Sequence, residues 1–298
     1  MPSALFVGCL WALVRAGSYG RVGDWSLVLP SSPAACAGTF LGIAACACLL
    51  AMLLHPFQVR AVRVLEGYWA RWPATARIAG VLTEIQRRRW LALRMRAERT
   101  GTDGITVRVG ADAKRRLAAR PPAHVLLPTA LGNALRKGEI SAGERYGLIT
   151  LTSWPHVHMQ VSPRMARTLS STRDALDTAV NLCWSFLATS VLSAVALYDE
   201  PNARWLPVGT LVAAALAYKG AVTAAETYSG LMHVVYDLHR FDLLEALHHP
   251  LPDKEQEREL FEEVSATLVG EWVADLSYEH PGGRSSRVHD ADGAADAK

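Results

Sequence analysis

The chain has 298 residues, of which 50% are hydrophobic and 20% are charged, and its formal net charge is +3. These averages hide a segregation, because three stretches carry almost no charge and the remainder is rich in arginine and glutamate. This pattern argues against a single soluble core and indicates membrane segments joined by polar parts. All five cysteines lie in apolar stretches, so the sequence supports neither a disulfide framework nor a zinc site.

The N-terminal segment, residues 1–33, contains a short apolar stretch from Leu5 to Val14. This stretch is too short to cross a bilayer by itself. It has the length of a signal-peptide core, but no basic residue precedes it. Two alternatives stay open: a short helix at the membrane interface, and a distorted span that is extended at both ends.

Three longer stretches predict transmembrane helices. Residues 34–54 are 21 residues without a charge, which is enough to cross a hydrocarbon core of about 30 Å. Residues 181–225 contain two further spans on either side of the polar turn Asp199–Arg204, which predicts a helical hairpin. Lys219 is the one charged residue within these spans, and we expect it to reach the headgroups with its long side chain.

The distribution of basic residues predicts the orientation. Residues 55–180 contain 21 Lys+Arg against 9 Asp+Glu, whereas the hairpin turn contains only Arg204. Cytoplasmic loops carry an excess of lysine and arginine, so residues 55–180 are predicted to be cytoplasmic. A hairpin returns the chain to the same side, so residues 226–298 are predicted to be cytoplasmic too. The predicted location is the cell inner (plasma) membrane, with several passes.

Residues 55–180 are predicted to be a basic, helical domain. Its first part interleaves arginine with Trp69, Trp72 and Trp90, which favours contact with anionic lipid headgroups over a merely solvated face. Ile105–Val109 alternates apolar and polar residues and predicts a short strand. The domain carries no nucleic-acid recognition motif, so we predict no nucleic-acid partner.

Residues 126–157 are the most distinctive polar stretch. Thr129, after Pro128, is a predicted helix start. The stretch holds many hydrogen-bonding and aromatic side chains for a linker: Asn133, Glu139, Tyr146, Trp154 and His156. These residues match no known catalytic spacing, which favours a compact helical subdomain. The alternative is a pocket near the membrane surface.

A second group of polar residues follows the hairpin: His233, Asp237, His239, Arg240 and Asp242. His233 and Asp237 are four residues apart on one helix face, which is a metal-ligand spacing. However, the sequence contains no HExxH motif and supplies no clear third or fourth ligand. We therefore predict a network of salt bridges and helix caps near the membrane, and neither a metal nor a cofactor.

The acidic helical region, residues 226–279, contains a final helix that is predicted to begin at Asp253. Its apolar stripe consists of Leu260, Phe261, Val264, Leu268, Trp272 and Leu276. The acidic portion has a net charge of −10 through the C-terminus, which predicts docking against the basic domain. The composition of residues 280–298 predicts a disordered tail.

Several motifs are similar to a family of multi-pass membrane proteins from high-GC actinobacteria. They are LPTALGNAL at 127–135, RYGL at 145–148, WP at 154–155, DLHRFDL at 237–243 and LEGYW at 65–69. The resemblance covers most of residues 50–252 and implies architecture without an activity. The short N-terminus departs from the long first span that is usual in this family.

Three classes of function are compatible with the sequence. The first is a membrane-anchored scaffold, sensor or accessory protein that faces the cytoplasm and binds membrane lipids or a protein partner. The second is an enzyme acting on a lipid or another hydrophobic small molecule at the inner membrane surface, with His233, Asp237, His239 and Arg240 at its site. The third is a component of a small transporter, which would require a homo-oligomer because three or four spans form a small bundle.

Overall fold

The computed structural model describes residues 2–19, 22–69, 73–99 and 104–270, and it contains no β-strand in these ranges. The mostly α fold class predicted from the sequence is therefore confirmed. The α-helices are α1 (Pro2–Ala16), α2 (Pro33–Leu54), α3 (Gln58–Glu66), α4 (Pro73–Glu98), α5 (Gly104–Ala118), α6 (Ala130–Glu139), α7 (Thr150–Met159), α8 (Pro163–Ala196), α9 (Trp205–Ala246) and α10 (Glu257–Val269).

Three helical segments are long and apolar enough to cross a membrane: Pro33–Glu66, Pro163–Ala196 and Pro201–Ala246. They contain the three spans predicted from the sequence. At 1.5 Å per residue, the 42 residues of α9 extend about 63 Å, roughly twice the hydrocarbon thickness. Only its apolar first half is needed to cross a bilayer, so its second half is available to form part of a polar domain.

The start of α2 is encoded locally. The Ser32 hydroxyl accepts a hydrogen bond from the Ala35 backbone N–H at 3.2 Å, and Pro33 occupies the first helical position. Ala47 is the single buried residue among the 22 of this helix. A helix that is apolar all round and almost unburied within its own chain is suited to contact with lipid.

The chain forms two compact units. The first unit comprises Met1–Glu139 and Arg167–Leu231, and the second comprises Ile140–Ala166 and Met232–Lys298. The first unit therefore contains α2 and the apolar halves of α8 and α9, together with α1 and α3–α6.

At one end of the first unit, the segment before α2 is bonded to the turn between α8 and α9. The buried carboxylate of Glu200 accepts hydrogen bonds from the Gly23 backbone N–H at 2.7 Å and from the Trp25 indole at 3.2 Å. Leu13, near the end of α1, packs with Ala196 and Leu197 beside the same turn. The polar connections before α2 and between α8 and α9 are thus close together.

At its other end, the first unit buries an apolar cluster that joins α6 to α8 and α9. Its buried members are Leu131, Ala134, Leu176, Val180, Ala221 and Ala225, with Val62 and Leu65 of α3 packed against them. The Leu131 backbone N–H donates to the Tyr218 hydroxyl at 3.2 Å. Because α3 follows α2, all three apolar segments leave the bundle toward this cluster.

Two local predictions are wrong. Ile105–Val109 lies in α5 rather than in a strand, because its Thr106 side forms a helical stripe with Gly110 and Ala113 that packs against α4. The final helix begins at Glu257 instead of Asp253, after a turn. The stripe residues Trp272 and Leu276 and the predicted tail lie outside the described residues.

The second unit is built from α7, α10 and the C-terminal half of α9. Its largest fully buried side chains are Tyr236, Phe261, Leu148, Leu243, Leu244, Val157, Val235 and Val264. The rings of Phe241 and Phe261 are 6.1 Å apart, which brings α10 onto α9. The unit therefore has an apolar core of its own, and most of the candidate polar residues surround it.

Candidate functional site

Asp237 on α9 holds the short 3-10 turn Glu144–Tyr146 of the second unit. Its Oδ1 accepts a hydrogen bond from the Tyr146 hydroxyl at 2.6 Å and forms an ion pair with Arg145. The Arg145 guanidinium also donates to the His233 carbonyl oxygen at 3.0 Å. Burial raises the pKa of the Tyr146 phenol, and the bond to Asp237 adds to the rise, so the phenol keeps the proton that it donates.

Arg240 joins α9 to α10. Its Nε donates to Glu257 Oε1 at 2.8 Å, and the two side chains are only 17% and 21% exposed. Its guanidinium carbon lies 4.3 Å from the Tyr146 ring centre and 4.2 Å from that of Phe241. Stacking and a partly buried ion pair together fix this arginine more firmly than an exposed pair would. We call Arg145, Tyr146, Asp237, Arg240 and Glu257 the ionic cluster.

The two candidate histidines on α9 each have a partner within the second unit. His239 Nδ1 lies 2.7 Å from Asp242 Oδ2, one helical turn away. His233 Nε2 lies 3.1 Å from the Ser141 hydroxyl. The spacing that suggested a metal site therefore serves different contacts, with Asp237 turned toward Arg145 and Tyr146. Among the residues that the structure describes, no group of three or more His, Cys, Asp or Glu is placed to hold a metal ion.

Buried polar contacts lie beneath the ionic cluster. The Tyr236 hydroxyl donates to the Thr150 carbonyl oxygen at 3.1 Å and lies 2.8 Å from the Ser153 hydroxyl. Trp154 packs over this position, with its ring 6.1 Å from that of Tyr236 and 5.6 Å from that of His158. Trp154 thus covers a hydrogen-bonded core pair, as expected for a compact helical subdomain.

The turn before α7 has a backbone that only glycine fits. Gly147 has a φ of +93°, and a Cβ there would lie 2.6 Å from the Arg258 carbonyl oxygen of the segment that carries α10. Glu144 caps α7 by accepting from the Thr150 backbone N–H at 3.1 Å and from the Thr150 hydroxyl at 2.6 Å. The motif Arg145–Leu148 is therefore a folded connector between α9, α7 and α10.

Three residues of the predicted pocket lie apart from the ionic cluster. Asn133 belongs to the first unit, where its side chain accepts from the Leu127 N–H at 2.7 Å and donates to the Leu127 and Thr129 carbonyls. Glu139, also in the first unit, lies 3.6 Å from Arg136. His156 is exposed on α7. The structure thus gives Asn133 a capping role, with Thr129 at the start of α6 as predicted.

Sequence reasoning missed the roles of Arg145 and Glu257. Arg145 belongs to a motif that stood out in the sequence, but its partner lies 92 residues further along the chain. Glu257 is one of many acidic residues near the start of α10, and nothing local distinguishes it from Glu255 or Glu259. Their pairing joins a basic-domain residue to the acidic region at one point, as the charge asymmetry led us to expect.

The ionic cluster is arranged to hold helices together rather than to act on a substrate. Each carboxylate in it is bonded to a guanidinium, and no nucleophile lies beside a free base among the described residues. A groove of about 500 Å³ lies between α1 and α2 instead, lined by apolar and small residues such as Trp11, Gly38 and Gly42. None of the groove's lining residues belongs to the ionic cluster.

The fold and site define an α-helical protein with three helices suited to crossing a membrane and a separately packed helical unit. No family model, curated protein or solved structure matches the chain.

Proposed function

We propose that the chain is a multi-pass protein of the cell inner membrane whose three spans hold a helical module at the cytoplasmic surface. The module acts as a scaffold, sensor or accessory subunit without an enzymatic reaction of its own. Membrane lipids and a protein partner are its proposed binding partners.

The contacts at the two ends of the first unit support the proposed orientation. Glu200, in the turn between α8 and α9, is bonded to Gly23 before α2. Val62 and Leu65, after α2, pack near Val180 and Ala225. If the three apolar segments cross a bilayer, the connections that follow α2 and α9 lie on one side. The excess of arginine and lysine in residues 55–180 favours the cytoplasm for that side.

The observation that carries the non-enzymatic role is the internal pairing of the candidate residues. Asp237 is bonded to Arg145 and Tyr146, and Arg240 to Glu257. A general acid or base needs an open position within hydrogen-bond reach of a substrate. Groups that bind one another across three elements instead stabilise a rigid surface on which a partner can dock.

Two substitutions on adjacent residues distinguish a scaffold from an enzyme. His239→Gln removes proton-transfer chemistry but keeps a donor for Asp242, so a scaffold should support growth of a strain that depends on the chain as well as wild type does. Arg240→Lys loses the bidentate, stacked geometry and should destabilise the second unit by about 2 kcal/mol, lowering the amount of folded chain and growth together. Complementation and the amount of folded chain are measured in parallel.

Arg258→Lys is the matched control for Arg240→Lys. Its ion pair with Glu262 is 72% and 56% exposed, so the exchange should change stability by less than about 0.5 kcal/mol. Loss of growth in His239→Gln with a normal amount of folded chain would contradict the scaffold role and favour the enzyme alternative.

A further inference from the structure

An exposed apolar row follows one side of α4. Ile78, Val81 and Ile85 are three or four residues apart, so they share a helix face, and they are 55%, 63% and 40% exposed. The buried side of the helix carries Gln86 and Ala97 and packs against α5. The row is thus a separate surface that the helical hairpin of α4 and α5 leaves uncovered within the described residues.

Arginines border this row. α4 contains six arginines and two glutamates. Arg77 lies four residues before Val81 and Arg89 four residues after Ile85, so both lie on the side of the row. Neither forms an ion pair with a residue in the described part of the chain, whereas Arg87 and Arg88 share Glu84. The row therefore combines apolar side chains with cations that are available for an external anion.

The chain keeps α4 close to the end of the apolar segments. Residues 67–72 alone separate α4 from α3, which follows α2 after a single 3-10 turn. Arg120 interacts electrostatically with both Arg89 and Glu226: burial lowers the pKa of Arg120, Arg89 lowers it further, and Glu226 opposes this. Because Glu226 directly follows the apolar half of α9, the arginine-rich middle of α4 lies at the level where that segment ends.

We propose that this side of α4, with Ile78, Val81 and Ile85 in the centre and Arg77 and Arg89 at its border, docks onto anionic lipid headgroups beside the spans. The inference rests on the proposed membrane anchoring. A helix with an apolar row and bordering cations lies in the plane of the interface, with its apolar side chains inserted below the headgroups. Each arginine close to an anionic surface strengthens such a contact about fivefold.

The test uses the full chain in nanodiscs of phosphatidylcholine alone or mixed with phosphatidylglycerol. An environment-sensitive fluorophore is attached to Val81→Cys or to Gly80→Cys, after replacement of the native cysteines by alanine: Cys9, Cys36, Cys46, Cys48 and Cys183. Gly80 is the matched control, because a Cβ there meets no atom within 4 Å. It lies at the same depth along α4 but about 100° around the helix.

We expect the emission of the label at position 81 to shift to the blue in nanodiscs with phosphatidylglycerol, and that at position 80 to shift far less. Arg77→Gln with Arg89→Gln should lower the ratio of docked to undocked helix roughly 30-fold. Arg87→Gln with Arg94→Gln removes the same charge from the other side of α4 and should change the ratio only a few fold.

Equal shifts at the two positions, or equal emission in both kinds of nanodisc, would overturn the proposal. A blue shift that appears only at concentrations where the chain self-associates would assign the row to a second copy and also overturn it. A shift that requires an added acidic protein would do so as well. Failure of the chain to enter nanodiscs at all would instead refute the anchoring on which the proposal rests.

Discussion

Replacing Gly132 by alanine should destabilise the first unit by about 3 kcal/mol. A Cβ at this position of α6 would lie 2.1 Å from the Glu66 carbonyl oxygen and 2.9 Å from the Leu127 side chain. The Thr129 hydroxyl donates to the same carbonyl at 2.7 Å, so α6 cannot move away without losing this bond. Thermal unfolding of the purified chain in detergent, followed by circular dichroism, measures the effect.

Gly80→Ala in α4 is the control, because nothing lies within 4 Å of the added Cβ. Alanine is favoured over glycine inside a helix, so this change should stabilise the chain by about 0.5 kcal/mol. If Gly132→Ala unfolds at the same temperature as Gly80→Ala, the close approach of α6 to the end of α3 is wrong.

Tyr236→Ala should destabilise the second unit by about 4 kcal/mol. The side chain is completely buried, so truncation leaves a large cavity. It also removes the hydroxyl that bonds the Thr150 carbonyl and the Ser153 hydroxyl. Limited proteolysis of the chain in detergent should show much faster cleavage within residues 140–166, while the apolar segments still enter the membrane.

Two further variants on α9 sharpen this result. Tyr236→Phe keeps the ring and loses the hydroxyl, so it should cost about 1 kcal/mol. Leu238→Ala changes a residue that is 60% exposed and should leave the cleavage rate close to that of wild type. If all three variants were cleaved at the same rate, the packing of the second unit around Tyr236 would be contradicted.

The fold class and the apolar segments could be predicted because their signals are local. A stretch such as residues 34–54 contains no charge, and a helix is the structure that satisfies its backbone within one segment of chain. The start of α6 was also predictable, since Pro128 and Thr129 stand next to each other in the sequence. Ile105–Val109 misled the analysis because five alternating residues fit either a strand or one face of a short helix.

The ionic cluster was only partly predictable, because its pairs are distant in sequence. Asp237 and Arg240 stood out among the residues after the hairpin, and Tyr146 among those before α7. Their convergence depends on the burial of Tyr236 beneath Trp154, which no local pattern encodes. Asn133 stood out for the same chemical reason as Tyr146, but its hydrogen bonds close a local turn.

The central claim is that the apolar helices cross the membrane and leave residues 55–180 in the cytoplasm. Labelling of Gly80→Cys and Asn202→Cys with a membrane-impermeant thiol reagent, in a chain without native cysteines, tests it most directly. We predict that Asn202→Cys, in the exposed turn between α8 and α9, reacts in intact spheroplasts and Gly80→Cys reacts only after permeabilisation. Rapid labelling of Gly80→Cys in intact spheroplasts, or recovery of the whole chain from a lysate without detergent, would contradict it.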